Sequence, residues 1–105
     1  MYRVIGTETY LREIDKWTKA DQEAAEKIPT KLADNPFAGD PLGYRYLREK
    51  RIRERRVYFL VYEDLRLVLL VAASNKKKQQ ATINHIKTHL DEFRTIAQKL
   101  IRQAA

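Results

Sequence analysis

The chain of 105 residues carries a formal net charge of +7, with 44% hydrophobic residues, 33% charged residues and no cysteine. This composition is typical of one globular domain and excludes a disordered tail. The lack of cysteine excludes disulfides and thiolate ligands or nucleophiles. No apolar run approaches the roughly 20 residues that span a bilayer, and residues 1–10 lack the apolar core of a secretory signal. We therefore expect a cytoplasmic protein without membrane contact.

The first third of the chain is predicted to form one strand and two helices. The strand covers residues 2–6, and apolar residues at helical spacing predict helices over residues 8–19 and 22–34. Thr7 or Thr9 is a suitable N-cap for the first helix and Asp21 for the second. Pro29 predicts a kink or a local break inside the second helix. Trp17 lies on the apolar stripe and is interpreted as a core residue.

The remainder is predicted to form three strands and one long helix. A loop rich in proline and glycine over residues 35–43 precedes strands over residues 46–52, 55–62 and 67–73 and a helix over residues 79–103. The whole chain, residues 1–105, is thus predicted to be a single α+β domain of order β-α-α-β-β-β-α. It has an antiparallel sheet, two N-terminal helices on one face and a long C-terminal helix.

The C-terminal helix has a heptad pattern that allows two interpretations. Its apolar residues are spaced alternately three and four apart, namely Ile83, Ile86, Leu90, Phe93, Ala97 and Leu100. This seam either docks on the body of the domain or projects from it to form a homodimer or bind another protein. A helix of 25 residues is about 37 Å long, which favours projection.

Positive charge is concentrated in the middle and at the end of the chain. Residues 44–58 contain seven basic and two acidic side chains, as do residues 75–105, whereas residues 1–34 are nearly balanced. Such asymmetry points to a polyanionic partner, nucleic acid first. The simpler alternative is that the charge serves solubility alone.

Alternation along the strands predicts a basic surface that contains tyrosine. If helices cover only one face of the sheet, the other face shows arginine and lysine from adjacent strands, and such a surface suits phosphates and stacked bases. The candidate RNA-binding residues are Arg48, Lys50, Arg53, Arg55, Tyr58, Lys77 and Lys78. If this surface cuts RNA, a 2′-hydroxyl must attack the adjacent phosphate, and arginine suits the developing phosphate charge because its planar fork never deprotonates.

No metal or cofactor site is expected. His85 and His89 stand four residues apart, a spacing that metals use, but no further ligand is obvious and both are interpreted as surface residues. No glycine-rich phosphate loop, Ser/His/Asp set or nucleotide-binding fingerprint occurs.

Four segments in this order resemble the RelE/ParE superfamily, the small toxins of type II toxin–antitoxin systems. They are NPFAGDPL, LREKR, RRVYFLV and LVLLVAASNKKK, and the resemblance covers roughly residues 2–90. It implies the fold described above and neutralisation by a cognate antitoxin. RelE-like and HigB-like members cut messenger RNA on the ribosome without a metal, whereas ParE-like members poison DNA gyrase.

The resemblance implies catalytic roles for Arg51, Arg56 and Lys76, and Glu49, the only acid well placed between the arginines, is a further catalytic candidate. The two arginines bind the scissile phosphate, Glu49 or a lysine of residues 76–78 moves protons, and Tyr58 or Tyr46 orients a base. Glu49 stands where several of the nucleases have lysine or arginine, and Thr82 lies near the position of a catalytic tyrosine in some members. The leading hypothesis is an mRNA endoribonuclease. The alternatives are a ParE-like gyrase inhibitor, a family member that only binds and a plain RNA-binding module.

Overall fold

The computed structural model describes residues 1–104 and shows a five-stranded sheet between two helical layers. The elements are β1 (Arg3–Gly6), α1 (Glu8–Asp15), α2 (Lys19–Glu26), α3 (Ile28–Asp34), β2 (Asp40–Pro41), β3 (Leu47–Ile52), β4 (Arg55–Tyr62), β5 (Leu67–Asn75), α4 (Gln79–Thr88) and α5 (Leu90–Ala104). Two 3₁₀ turns, Glu63–Leu65 and Lys76–Lys78, flank β5. The predicted α+β class and the three-strand meander are confirmed. None of the described helices is long and apolar enough to cross a bilayer.

The sheet has the strand order β1-β5-β4-β3-β2. Strands β3, β4 and β5 form antiparallel hairpins as predicted, whereas β1 pairs parallel to β5, so the sheet is mixed. Three helices and two hairpins separate β1 from β5 in the sequence, and they return the chain so that β5 lies beside β1. Strand β2, inside the predicted loop, pairs with β3 at only two positions.

The first helical layer, α1 to α3, covers one face of the sheet and encloses Trp17, which is only 5% exposed. Thr7 caps α1 as predicted, but Thr18 rather than Asp21 caps α2. The helix predicted over residues 22–34 is in fact two helices that meet at Lys27. Pro29 lies in the first turn of α3, where a missing N–H costs little.

The second helical layer, α4 and α5, covers the opposite face, which is the docked one of the two arrangements that the heptad pattern allowed. All six residues of the predicted seam form or pack against a buried cluster with β4 and β5. The predicted single helix is broken at His89, and Ala97 of α5 is fully buried. Docking is therefore the arrangement that the structure shows, and the heptad seam is covered within the monomer.

Two buried tyrosines, one in each core, predict a loss of stability at alkaline pH. Burial raises the pKa of Tyr10 and of Tyr62 to about 12 each, above the value near 10 of an unfolded chain. Ionisation of either tyrosine is less favourable in the folded state than in the unfolded state. The stability of the folded protein is therefore unaffected by these groups below pH 10 and falls as the pH rises to about 12. The loss should reach about 2 to 3 kcal/mol per tyrosine. The urea concentration at half-unfolding should fall less steeply with pH for Tyr10→Phe than for wild type between pH 10 and about 12. An equal fall with pH in the two proteins would contradict the raised pKa of Tyr10.

Candidate functional site

The site lies on the sheet face that α4 and α5 cover, at the end that these helices leave open. A row of side chains crosses three strands there. Arg51 of β3 pairs with Arg56 of β4, and Arg56 pairs with Ser74 of β5. Paired residues of antiparallel strands project to the same face. Glu49, two residues before Arg51, therefore joins this row on the face that α4 and α5 cover. A β-bulge between β4 and β5 shifts their register before this row.

Glu49 is a buried carboxylate held by three side chains. It is 2% exposed, and its Oε1 lies 3.5 Å from Nε of both Arg51 and Arg56. The amide of Gln79, the first residue of α4, donates to Oε1 at 3.0 Å and to Oε2 at 2.7 Å. A buried charge is stable only when it is paired and hydrogen-bonded, and Glu49 meets both conditions. Glu49 thus anchors the arginines rather than facing a substrate.

Arg56 is enclosed, whereas Arg51 is open to solvent. The Arg56 side chain is 7% exposed and that of Arg51 is 63% exposed. Nη1 of Arg56 donates to the carbonyl oxygens of Arg53 and Arg55 at 3.1 Å each, and closes the turn between β3 and β4. Nη2 makes no hydrogen bond within the described part of the chain. Arg53 takes a left-handed φ of +53° in this turn, which is uncommon for a residue with a side chain.

The lysine turn, Lys76–Lys78, lies at the same end of the sheet. All three lysines are exposed, and the backbone N–H of Lys76 donates to the carbonyl of Glu54 in the β3–β4 turn at 3.1 Å. The side chain of Asn75 accepts from the N–H of Lys78 at 3.0 Å and fixes the turn. The structure therefore brings the lysine turn and the two arginines to one end of the sheet.

Tyr58 cannot orient a base, contrary to the sequence-based prediction. It is fully buried, and its hydroxyl shares a 2.8 Å hydrogen bond with Ser74, which donates to the carbonyl of Asn75 at 2.9 Å. Burial raises the pKa of Tyr58. The other candidate, Tyr46, is 39% exposed but precedes β3 at the opposite end, where it stacks on Tyr44 with ring centroids 5.1 Å apart.

Arg53 and Arg55 are directed to the first helical layer instead of to the arginine pair. Both form ion pairs with Asp21 of α2. The Arg53 guanidinium holds the pKa of Asp21 below its usual value, with a smaller contribution from Arg55. Because these side chains tie the β3–β4 turn to α2, their predicted role in one continuous RNA-binding face is not supported by the geometry.

Arg48 is a structural clamp, and Lys50 shares its side of β3. Arg48 donates to the carbonyls of Ala38 and Gly39 at 3.3 and 3.0 Å, and so holds the loop before β2 against β3. Gly39 has φ of +85°, and an added Cβ would lie 2.3 Å from the carbonyl oxygen of Glu49. The loop can approach the site this closely only with glycine.

Two members of the site, Ser74 and Gln79, were missed by sequence reasoning. Nothing in the sequence marks them, since their roles arise from strand register and from the entry angle of α4. Thr82, one turn into α4, donates its hydroxyl to the carbonyl of Lys78 at 2.8 Å. His85 and His89 lie with ring centroids 4.2 Å apart, and the described residues contain no group of three or more metal-ligating side chains.

The charges and exposures define what this site can do. Arg51 and the lysine turn offer exposed cations, and the carboxylate beside the two arginines, Glu49, is buried, whereas Glu54 in the β3–β4 turn is exposed. Guanidinium and ammonium groups fixed in this way bind phosphate oxygens and stabilise negative charge that develops on them.

Comparison with known proteins shows the fold. No family model and no curated protein sequence matches the chain. The isolated RelE toxin of E. coli matches with a TM-score of 0.63 at 17% identity, over 78% of this chain and 96% of that one. RelE in the intact E. coli RelBE toxin–antitoxin complex matches with 0.63 at 18% identity, over 71% and 96%. The RelBE2 toxin–antitoxin complex of Mycobacterium tuberculosis gives 0.63 at 19%, over 71% and 91%. The chain therefore has the fold of the RelE toxins, as its sequence motifs predicted.

Proposed function

We propose that this protein is the toxin of a toxin–antitoxin pair and that it cuts messenger RNA in the cytoplasm. The observation that carries the proposal is the row Arg51–Arg56, anchored by the buried Glu49 and joined at the same end by the lysine turn. This row lies on the fold of the RelE toxins. The exposed cations of Arg51 and the lysine turn suit a polyanion that must be bound and cut.

The cleavage step follows from which groups are accessible. The 2′-oxygen of the substrate attacks the adjacent phosphorus, its proton passes to water, and the bond from phosphorus to the 5′-oxygen breaks. Arg51 and Nη2 of Arg56 bind the non-bridging oxygens and stabilise the charge that builds on them. A lysine of the turn donates a proton from its ammonium group to the departing 5′-oxygen. Glu49 positions the arginines, because its carboxylate is already occupied by them and by Gln79.

The proposal includes a cognate antitoxin as partner. Two of the similar solved structures are toxin–antitoxin complexes. The ribosome, which holds translated message in place, would present the RNA to this small surface. No metal or cofactor enters the step.

One observation favours a second function, a toxin or nucleic-acid-binding protein that does not cut. Arg56 is almost enclosed, and the Thr82 hydroxyl is hydrogen-bonded within its own helix. The described site therefore contains no tyrosine or threonine hydroxyl that is free to move a proton. A gyrase inhibitor or a basic RNA-binding module needs none.

Inducible expression in a bacterial host separates these functions. We expect wild-type protein to arrest growth and to produce messages cut at internal positions, with chromosomal DNA intact. Co-expression of the product of an adjacent reading frame should restore growth. DNA damage signalling with intact messages would instead identify a gyrase inhibitor, and unaffected growth with intact messages would leave only a binding protein.

A further inference from the structure

A second basic surface lies on the other side of β3, between this strand and the helices α2 and α3. This groove, called the α3 groove below, has a volume of about 280 Å³. Its lining residues are Ala24, Lys27, Ile28, Lys31, Lys50, Arg51, Ile52 and Arg53. Lys27 and Lys31 come from the first helical layer and have no role in the proposed cleavage step.

The α3 groove is charged with one sign only. Five of its eight lining residues are cationic and none is acidic. Arg51 and Arg53 have carboxylate partners, Glu49 and Asp21. The three lysines of the groove form no ion pair among the residues that the structure describes. Unpaired lysines on both sides of a groove create a positive electrostatic potential within it, and this potential attracts anions.

The floor of the groove is apolar, and its outer side is open. Ile28 and Ile52 are buried beneath the lysines. Strand β2 pairs with β3 only at Arg48 and Glu49, so the edge of β3 beyond Glu49 has no strand partner. An extended chain can therefore enter the groove from outside, with its charged groups on the lysines and its less polar parts on the floor.

The groove and the cleavage site are joined by Arg51. Arg51 is one of the residues that line the groove, and its Nε lies 3.5 Å from Glu49 in the arginine row. A polyanion whose phosphate is bound by Arg51 thus has its next phosphates within reach of the lysines. RNA fits this continuity better than an acidic peptide, because it carries a phosphate at every nucleotide on both sides of the one that Arg51 binds.

We infer that the α3 groove binds the RNA strand flanking the scissile phosphate, with Lys27, Lys31 and Lys50 on successive phosphates. This inference rests on the proposed function and adds to it the path of the substrate. It assigns RNA binding to α2 and α3, the layer that the cleavage site does not use.

The test compares Lys27→Gln/Lys31→Gln with a control, Lys19→Gln/Lys99→Gln, which removes two exposed lysines outside the groove. The probe is single-stranded 2′-O-methyl RNA of about ten nucleotides, which lacks the nucleophilic hydroxyl and cannot be cut. Two lost phosphate contacts should weaken binding by about 10- to 30-fold in 0.1 M salt and reduce the slope of log K against log salt by about 1.4. The control should retain wild-type slope and affinity.

Cleavage measurements distinguish failure of this inference from failure of the proposed function. The groove variant should cut a dinucleotide at the wild-type rate but lose efficiency on long RNA. Unchanged RNA affinity and salt slope would overturn the inference even if wild-type protein cuts RNA. If the groove variant binds RNA like wild type but loses affinity for the antitoxin, the inference is also overturned. The groove would then be a protein-binding site. Wild-type protein that binds RNA through the groove without cutting it would overturn only the nuclease.

Discussion

Replacing Arg51 by alanine is expected to lower the rate of RNA cleavage by about 100-fold or more without unfolding the protein. Removal of one group that stabilises transition-state charge typically costs a factor of 10² to 10³. The side chain is 63% exposed, and its only ion-pair partner among the described residues is Glu49, which keeps Arg56 and Gln79. Single-turnover cleavage at saturating RNA measures this loss apart from any loss of binding in the α3 groove.

Arg45→Ala is the matched control for this prediction. Arg45 is 67% exposed and pairs with Glu63, at the end of the sheet away from the arginine row. The control removes the same charge and the same number of atoms from a similarly exposed position, so its cleavage rate should stay near that of wild type. If Arg51→Ala cuts at the wild-type rate, or if both variants lose activity equally, the assignment of Arg51 to the phosphate is wrong.

Strand positions were predictable because hydrophobic period and turn residues act locally. The predicted strand over residues 55–62 matches β4, and the predicted end of β3 at Ile52 is also correct. Alternation also predicted a basic surface that contains tyrosine, and the register places Glu49, Arg51 and Tyr58 on one side of the sheet. Local pattern thus predicted which side chains share a face.

Which face is covered, and by what, could not be read from the same pattern. The heptad seam of the C-terminal helix showed that an apolar stripe existed, but a periodic stripe fits a partner protein as well as a sheet. Because α4 and α5 dock on the face expected to be open, Tyr58 is buried and only the Arg51 end remains accessible. The basic residues of β3 and β4 are consequently divided between two sides of the sheet, and Gln79 enters the site from α4.

Replacing Glu49 by alanine is expected to destabilise the protein by about 3 to 5 kcal/mol, a large part of a typical domain's stability. The substitution leaves the guanidinium of Arg56, which is 7% exposed, without a counterion, and it removes the acceptor of the Gln79 amide. Glu49→Gln keeps part of the hydrogen bonding, so it should lose less and remain folded. Urea unfolding of both variants measures the difference. Asp64→Ala is the control, because the Asp64–Arg94 pair is exposed and its removal should cost only about 0 to 1 kcal/mol.

The double variant Glu49→Ala/Arg56→Met decides whether the cost arises from the unpaired charge or from lost packing. If the charge is the cause, removing both partners should recover much of the stability that Glu49→Ala loses, because apolar groups of similar volume replace a buried ion pair at little cost. If packing is the cause, the two losses should add. Recovery without cleavage activity would show that the buried pair exists to hold Arg56 in place for its substrate. Additive losses would contradict the anchoring role of Glu49, on which the arrangement of both arginines depends.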